Sequence, residues 1–238
     1  DGAWRFDADF EDDGVFKGLD YHTLGPDEAM ALGTCAEKAY QALRFARITA
    51  DMSIYERMLP TLELMTQFRV PRAAQVWEVP FFAPDILAAA DAVDAYIEAY
   101  RVSGETRWLD EARRWARAGL PFVFLWEDDE HPFLLGGSIP VFGATFHQHS
   151  WFGNIVQWNG LRYAAAVLKL AEYDGSWPWV KFAALIVHSA VQQQAREGED
   201  AGLWPDSIST LTAQKSGWVF APRQITSVML ALTGLDEV

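Results

Sequence analysis

The sequence has little of what marks several large classes of protein. Cys35 is the only cysteine among 238 residues, so an intrachain disulfide and a cysteine-based zinc site are excluded. No run of about 18 apolar residues occurs, so no transmembrane helix is predicted. Glycine-rich phosphate loops, nucleophile elbows and kinase motifs do not occur either. These absences favour a soluble globular domain, and no cofactor is predicted.

Basic residues are scarce as well. The chain has 19 Lys and Arg against 33 Asp and Glu, which gives a formal net charge of −14. Binding to nucleic acids or to anionic membranes requires clustered positive charge, so neither is an expected partner. An acidic surface is compatible with a neutral substrate, although it also occurs in proteins whose charge has no part in binding.

Half of the residues are hydrophobic, and their spacing predicts helices. Residues 1–25 are polar and acidic, and predict an irregular lead-in. Pro26, Asp27 and Glu28 predict the start of a helical domain at residues 26–238. The seven predicted helices cover approximately residues 29–49, 53–68 with a kink or break at Pro60, 85–100, 106–118, 152–172, 177–196 and 222–232.

Short polar turns join the predicted helices in pairs. The turns at residues 49–51, 103–105 and 173–175 are each followed by an aromatic and an aliphatic residue. Their unequal spacing excludes a regular short-period solenoid. The pattern predicts an all-α fold of antiparallel helical hairpins, separated by three connectors at residues 69–84, 127–151 and 203–218.

The hairpins and the connector strings together resemble a known superfamily. The string Val-Pro-Arg-Ala-Ala-Gln-Val-Trp-Glu-Val-Pro at residues 70–80, with residues 83–90, 119–126 and 141–145, is similar to a bacterial group of the six-hairpin (α/α-toroid) glycosidase-like superfamily that has no assigned reaction. A full ring of six hairpins needs twelve helices, so the resemblance implies a partial or compact α/α toroid. It also implies a carbohydrate substrate in a pocket where the three connectors meet.

Hydrolysis of a glycoside usually needs one carboxylic acid that donates a proton and a second that acts as base or nucleophile. Glu78 is the predicted acid, because its neighbours Trp77 and Val79 would raise the pKa of a carboxyl group that they bury. The structural alternative is that Glu78 forms an ion pair with Arg69 or Arg72.

Asp206 is the predicted base, since it follows Trp204 and Pro205 in another connector. Asp85 is a weaker candidate, because an Asp at the start of a helix commonly caps it. The aromatic rings predicted to stack on sugar are Trp77, Trp151 and Trp204, and the amides predicted to contact its hydroxyl groups are Gln75 and Gln157. The alternative for the aromatic residues is that they fill the core.

A lyase needs a His, Tyr or Asn base in place of the second carboxylate. His147 and His149 are predicted to assist catalysis, and Tyr21 with His22 offers a second source of such a base. His147 and His149 could also hold a metal ion, but nothing in the sequence supplies a third ligand. Residues 9–20 roughly match a calcium loop, although a solvated acidic turn explains them better.

The reaction therefore stays open at this point. The sequence favours a glycoside hydrolase or polysaccharide lyase. The alternatives are an isomerase or epimerase on the same fold, and a non-catalytic sugar-binding or protein-interaction module of a larger protein. The first residue is Asp1, which is compatible with a processed chain or a part of a longer one. The location is also open, with a secreted or periplasmic one slightly favoured.

Overall fold

The computed structural model describes residues 2–14, 16–142 and 151–234. Within these ranges the chain forms seven α-helices, two short 3-10 turns and four two-residue strands. The helices are α1 (Leu32–Thr49), α2 (Met52–Met65), α3 (Ile86–Ser103), α4 (Thr106–Gly119), α5 (Gln157–Ala171), α6 (Trp179–Gln193) and α7 (Arg223–Thr233). The strands are β1 (Asn154–Ile155), β2 (Trp204–Pro205), β3 (Ile208–Ser209) and β4 (Val219–Phe220), and the 3-10 turns are Tyr21–Thr23 and Leu120–Phe122.

The predicted all-α class with helical hairpins is confirmed. The chain divides into two compact units, Asp1–Gly119 with Val141–Ser150, and Leu120–Pro140 with Trp151–Val238. In the first unit α1 pairs with α2, α3 pairs with α4, and α1 packs along α3. In the second unit α5 pairs with α6, and α7 packs against both. None of the described helices is both long and apolar enough to cross a lipid bilayer.

The predicted turns are helix boundaries with recognisable chemistry. Ala50 and Gly104 adopt left-handed conformations, with φ of 56° and 74°, and so end α1 and α3. Asp51 caps α2 by accepting a hydrogen bond of 3.0 Å from the Ser53 amide. In the turn of the second unit, the Asp174 carboxylate accepts a hydrogen bond of 2.8 Å from the Trp179 indole.

Helix α3 is the core of the first unit. It buries every residue from Ile86 to Ala99, and the many alanines among them allow α1 and α4 to pack closely against it. The carboxylate of Glu98 is 3 % exposed, and it pairs with Arg47 at 2.6 Å and Arg101 at 3.0 Å. These two guanidinium groups compensate a charge that would be costly to bury alone.

Two predicted helix starts were wrong. Helix α1 begins at Leu32 instead of residue 29, because Glu28 has a φ of 59° and donates its amide hydrogen to the Phe6 carbonyl at 2.9 Å. Asp27 accepts a hydrogen bond of 3.0 Å from the Ala8 amide. The two acids therefore hold the lead-in in place instead of starting a helix.

Helix α5 begins at Gln157 instead of residue 152, because β1 pairs antiparallel with β3 and keeps residues 154–155 extended. Pro60 lies inside α2, where the helix continues past it. The predicted division of the chain after residue 25 stays a prediction.

Candidate functional site

The connector between α2 and α3 lies across the N-terminal ends of α1 and α3. The Arg72 carbonyl accepts the Gly33 amide hydrogen at 2.9 Å, and the Pro71 carbonyl accepts that of Asp85 at 2.9 Å. The approach to α1 is so close that a Cβ atom on Gly33 would lie 2.3 Å from the Ala74 nitrogen. Glycine at the start of α1 therefore allows the connector to take this position.

Asp85 ties the connector to α3. Its side chain accepts hydrogen bonds from the amides of Ala88, at 2.7 Å, and Ala74, at 3.1 Å. Burial raises the pKa of this carboxyl group to about 6, while hydrogen bonds from the Ala88, Ala74 and Leu87 amides and from the Gln75 side chain limit the rise. Asp85 is thus the helix cap that its position predicts.

Gln75 and Glu78 belong to one turn of the same connector. The Gln75 carbonyl accepts the amide hydrogens of Glu78, at 3.2 Å, and Val79, at 3.0 Å. The Gln75 side chain is 2 % exposed and lies beside Asp85, whereas Glu78 is half-buried. Contact of Gln75 with a substrate and proton transfer by Glu78 stay predictions.

Trp77 lines a pocket of about 380 Å³ in the first unit. Its ring packs against a core cluster in which Phe6 and Tyr21 of the lead-in meet Ala73 and Phe81 of the connector region. The pocket combines aromatic faces with charged side chains, a composition that suits a polar ligand with apolar ring faces. Its other functional side chains come from the lead-in and from α1: Arg5, Asp7, Phe10, Tyr21, Glu37 and Lys38.

Apart from Tyr21, the contribution of the lead-in to this pocket was missed in the sequence. An irregular segment has no hydrophobic period, so no pattern indicates that it will pack on a distant connector. The one available signal was the group of aromatic residues within an otherwise polar segment, among them Phe6, Phe10 and Tyr21.

Tyr21 and His22 have different surroundings. Tyr21 is 4 % exposed, and burial, the negative charge of Asp12 and a hydrogen bond to it all raise the pKa of the phenol. A raised pKa makes phenolate less available, which disfavours Tyr21 as the base of a lyase. The His22 Nε2 atom lies 2.9 Å from Asp9 Oδ1 on the surface.

Two acidic residues of the lead-in accept hydrogen bonds from amides of their own turns. Asp12 accepts the Gly14 amide hydrogen at 2.6 Å, and Asp20 accepts that of His22 at 3.1 Å. Across residues 2–14, 16–142 and 151–234, no three His, Cys, Asp or Glu side chains are grouped so that they could hold a metal ion. His147 and His149 lie outside the described residues, and their role stays a prediction.

In the second unit Gln157, at the start of α5, joins the connector at residues 136–138 to α6. Its side chain is fully buried. Its Oε1 atom accepts the Ser138 amide hydrogen at 3.0 Å, and its Nε2 atom donates to the carbonyls of Gly136, at 2.9 Å, and Ile186, at 2.8 Å. Contact with a substrate stays a prediction for Gln157, and it would require these bonds to break.

The connector that contains Asp206 is anchored by Trp204. The Trp204 ring is 1 % exposed, and its indole donates to the Ala221 carbonyl at 3.1 Å. Trp151 is 5 % exposed, so sugar stacking by either ring stays a prediction that requires the ring to become uncovered.

Asp206 is half-buried, and its amide donates to the Trp218 carbonyl at 2.8 Å. Since Glu78 and Asp206 belong to different units, their action as a pair also stays a prediction.

No protein-family model and no curated protein matches the sequence. Solved structures do match it. Cellobiose 2-epimerase from Bacillus thermoamylovorans is 14 % identical with a TM-score of 0.56, over 95 % of this chain and 63 % of that one. Unsaturated glucuronyl hydrolase from Bacillus sp. GL1 is 15 % identical with a TM-score of 0.58, over 98 % and 64 %. A glycosyl hydrolase of family 88 from Bacteroides vulgatus is 12 % identical with a TM-score of 0.55, over 98 % and 60 %.

The chain spans less than two thirds of the length of these structures. At such low sequence identity the comparison shows a shared fold, which extends over nearly all of this chain. All three neighbours are six-hairpin, glycosidase-like proteins. The predicted resemblance is therefore confirmed at the level of fold, since the helical hairpins of this chain match those of α/α-toroid structures.

Proposed function

We propose that this protein is a carbohydrate-active domain that binds an oligosaccharide or polysaccharide and hydrolyses a glycosidic bond in it. The observation that carries the proposal is the first-unit pocket, where Trp77 and the lead-in aromatic residues form walls next to the connector that contains Glu78. The fold supports the same substrate class, since its neighbours include a cellobiose epimerase and a hydrolase responsible for glycosaminoglycan degradation.

In the proposed reaction, Trp77 stacks on a sugar ring and Glu78 gives a proton to the leaving oxygen. Glu78 is half-buried and directly follows Trp77 in the connector. Hydrolysis of a glycoside also needs a second carboxylate, and Asp206 stays a prediction for that role.

Turnover of a panel of oligosaccharides by wild-type protein and by the Glu78→Gln variant tests the proposal. Removal of the acid should lower kcat by about 100-fold to 10,000-fold while the thermal midpoint stays unchanged. Glu56→Gln is the matched control, because Glu56 is exposed on α2 of the same unit. Full turnover by Glu78→Gln would disprove the assigned role.

A non-catalytic sugar-binding module is the second candidate, and one observation favours it. The described lining of the pocket does not include Glu78, and the carboxylates that do line it, Asp7 and Glu37, are both exposed to solvent. Under this alternative, oligosaccharides bind with saturable affinity, Trp77→Ala weakens the binding, and no product forms. Further domains of a longer chain would then supply any catalysis.

A further inference from the structure

We propose that the second unit contains a further pocket, which binds one ring of a neutral carbohydrate. The pocket has a volume of about 360 Å³ and is lined by Trp158, Phe220, Ala221 and Gln224. This volume lies within the range of roughly 300–1,000 Å³ that is typical of small-molecule sites. The residues come from the first turn of α5, from β4 and the residue that follows it, and from the first turn of α7.

The aromatic wall is held rigidly from behind. Phe220 is the partner of Trp204 in the antiparallel pairing of β4 with β2, and the two ring centroids are 5.6 Å apart. The buried Trp204 also bonds to the Ala221 carbonyl, so both sides of this short segment are fixed. Phe220 nevertheless remains 37 % exposed. A ring that is fixed before binding loses little conformational freedom when a ligand stacks on it.

The polar groups of the pocket are available to a ligand. The Trp158 indole and the Gln224 side-chain amide line the pocket, and neither forms a hydrogen bond with any other residue that the structure describes. Together they offer a donor from the indole, and a donor and an acceptor from the amide. Hydroxyl groups, which both donate and accept, match this set.

The charge of the pocket selects the class of ligand. None of the lining residues that the structure describes carries a charge at neutral pH, so this lining favours a neutral ligand over an anionic one. A neutral pyranose presents a face of C–H groups to an aromatic ring and hydroxyl groups around its edge. The inference takes its substrate class from the proposed function, but it concerns other residues in the other unit.

Calorimetric titration of the full chain with neutral tetrasaccharides of glucose, mannose and xylose tests the inference. Phe220→Ala should raise Kd by about 2-fold to 10-fold, the loss expected for one aromatic contact. Gln224→Ala should raise it several-fold, and this substitution leaves the fold intact because the Gln224 side chain bonds to no described residue. Phe152→Ala and Gln214→Ala, which change exposed residues of the same unit outside the pocket, should leave Kd unchanged.

The inference is overturned if no tetrasaccharide binds, if Phe220→Ala and Gln224→Ala leave Kd unchanged, or if an aromatic tripeptide such as Gly-Trp-Gly binds more tightly than the sugars. The two proposals can fail separately. Weaker binding by Phe220→Ala with full turnover by Glu78→Gln would refute the proposed function alone. Loss of turnover in Glu78→Gln, together with unchanged binding by Phe220→Ala, would refute this inference alone.

Discussion

The buried cap Asp85 makes the stability of this protein depend on pH in an unusual direction for a carboxyl group. Burial raises its pKa from 3.8 to about 6. The native carboxyl group therefore holds its proton more tightly than the unfolded one. Its contribution to the free energy of unfolding is complete below pH 3.8 and is lost as the pH rises through about 6. A shift of about two pKa units corresponds to about 3 kcal/mol.

The Asp85→Asn variant should lose this dependence. The Asn side chain keeps one oxygen that accepts the Ala88 amide hydrogen. Its NH2 group faces the Ala74 amide, which is also a donor, so that hydrogen bond is lost at a cost of about 1–3 kcal/mol. This cost changes little with pH above 4.5, whereas the wild-type carboxyl group loses its proton. The stability of the variant relative to wild type should therefore rise by about 2 kcal/mol between pH 4.5 and 7.5.

Urea unfolding followed by tryptophan fluorescence at four values in this pH range measures the effect. Asp51→Asn is the matched control, because Asp51 caps α2 on the surface and its hydrogen bonds with Ser53 lower its pKa below 3.8. Stability from a lowered pKa is lost only as the pH falls through that value, so the control difference should be constant from pH 4.5 to 7.5. A constant difference for Asp85→Asn too would refute the reasoning.

Three further substitutions test how the helices and connectors are held, each by urea unfolding at pH 7. Gly33→Ala should destabilise the protein by at least about 1–3 kcal/mol, because the new methyl group displaces the connector. The same displacement should weaken ligand binding at Trp77. Unchanged stability would contradict the close approach of the connector to α1. Ala50→Gly should stabilise the protein by about 1 kcal/mol, because glycine adopts the left-handed backbone conformation at the end of α1 without strain. A loss of stability would argue against that conformation. Gln157→Leu should cost more than about 2 kcal/mol, because it leaves the buried Ser138 amide and Gly136 carbonyl without their side-chain partner. An unaffected fold would instead suggest a role in ligand contact.

Local structure was largely predictable from the sequence. The hydrophobic period located all seven described helices, and the turn at residues 49–51 was identified by its small and acidic residues. Asp85 could be recognised as a cap because capping depends on one side chain and the amide three residues further on. Such features depend on neighbours in sequence, so a single chain without relatives contains enough information to predict them.

The burial and the contacts of the aromatic and amide residues in the connectors were decided by tertiary structure. Trp204 and Phe220 both lie in connectors of mixed polarity, yet one is buried in the pairing of β2 with β4 and the other remains open to a pocket. Gln157 is surrounded by Gly136 and Ile186, and the lead-in reaches the pocket at Trp77.

The hydrophobic period shows which face of a helix is buried, but connectors have no period. Their side chains take the places that distant segments leave open. The sequence by itself therefore determined the paired helices and their ends, while the burial of a connector side chain or its exposure to a ligand depended on contacts between residues far apart in the chain.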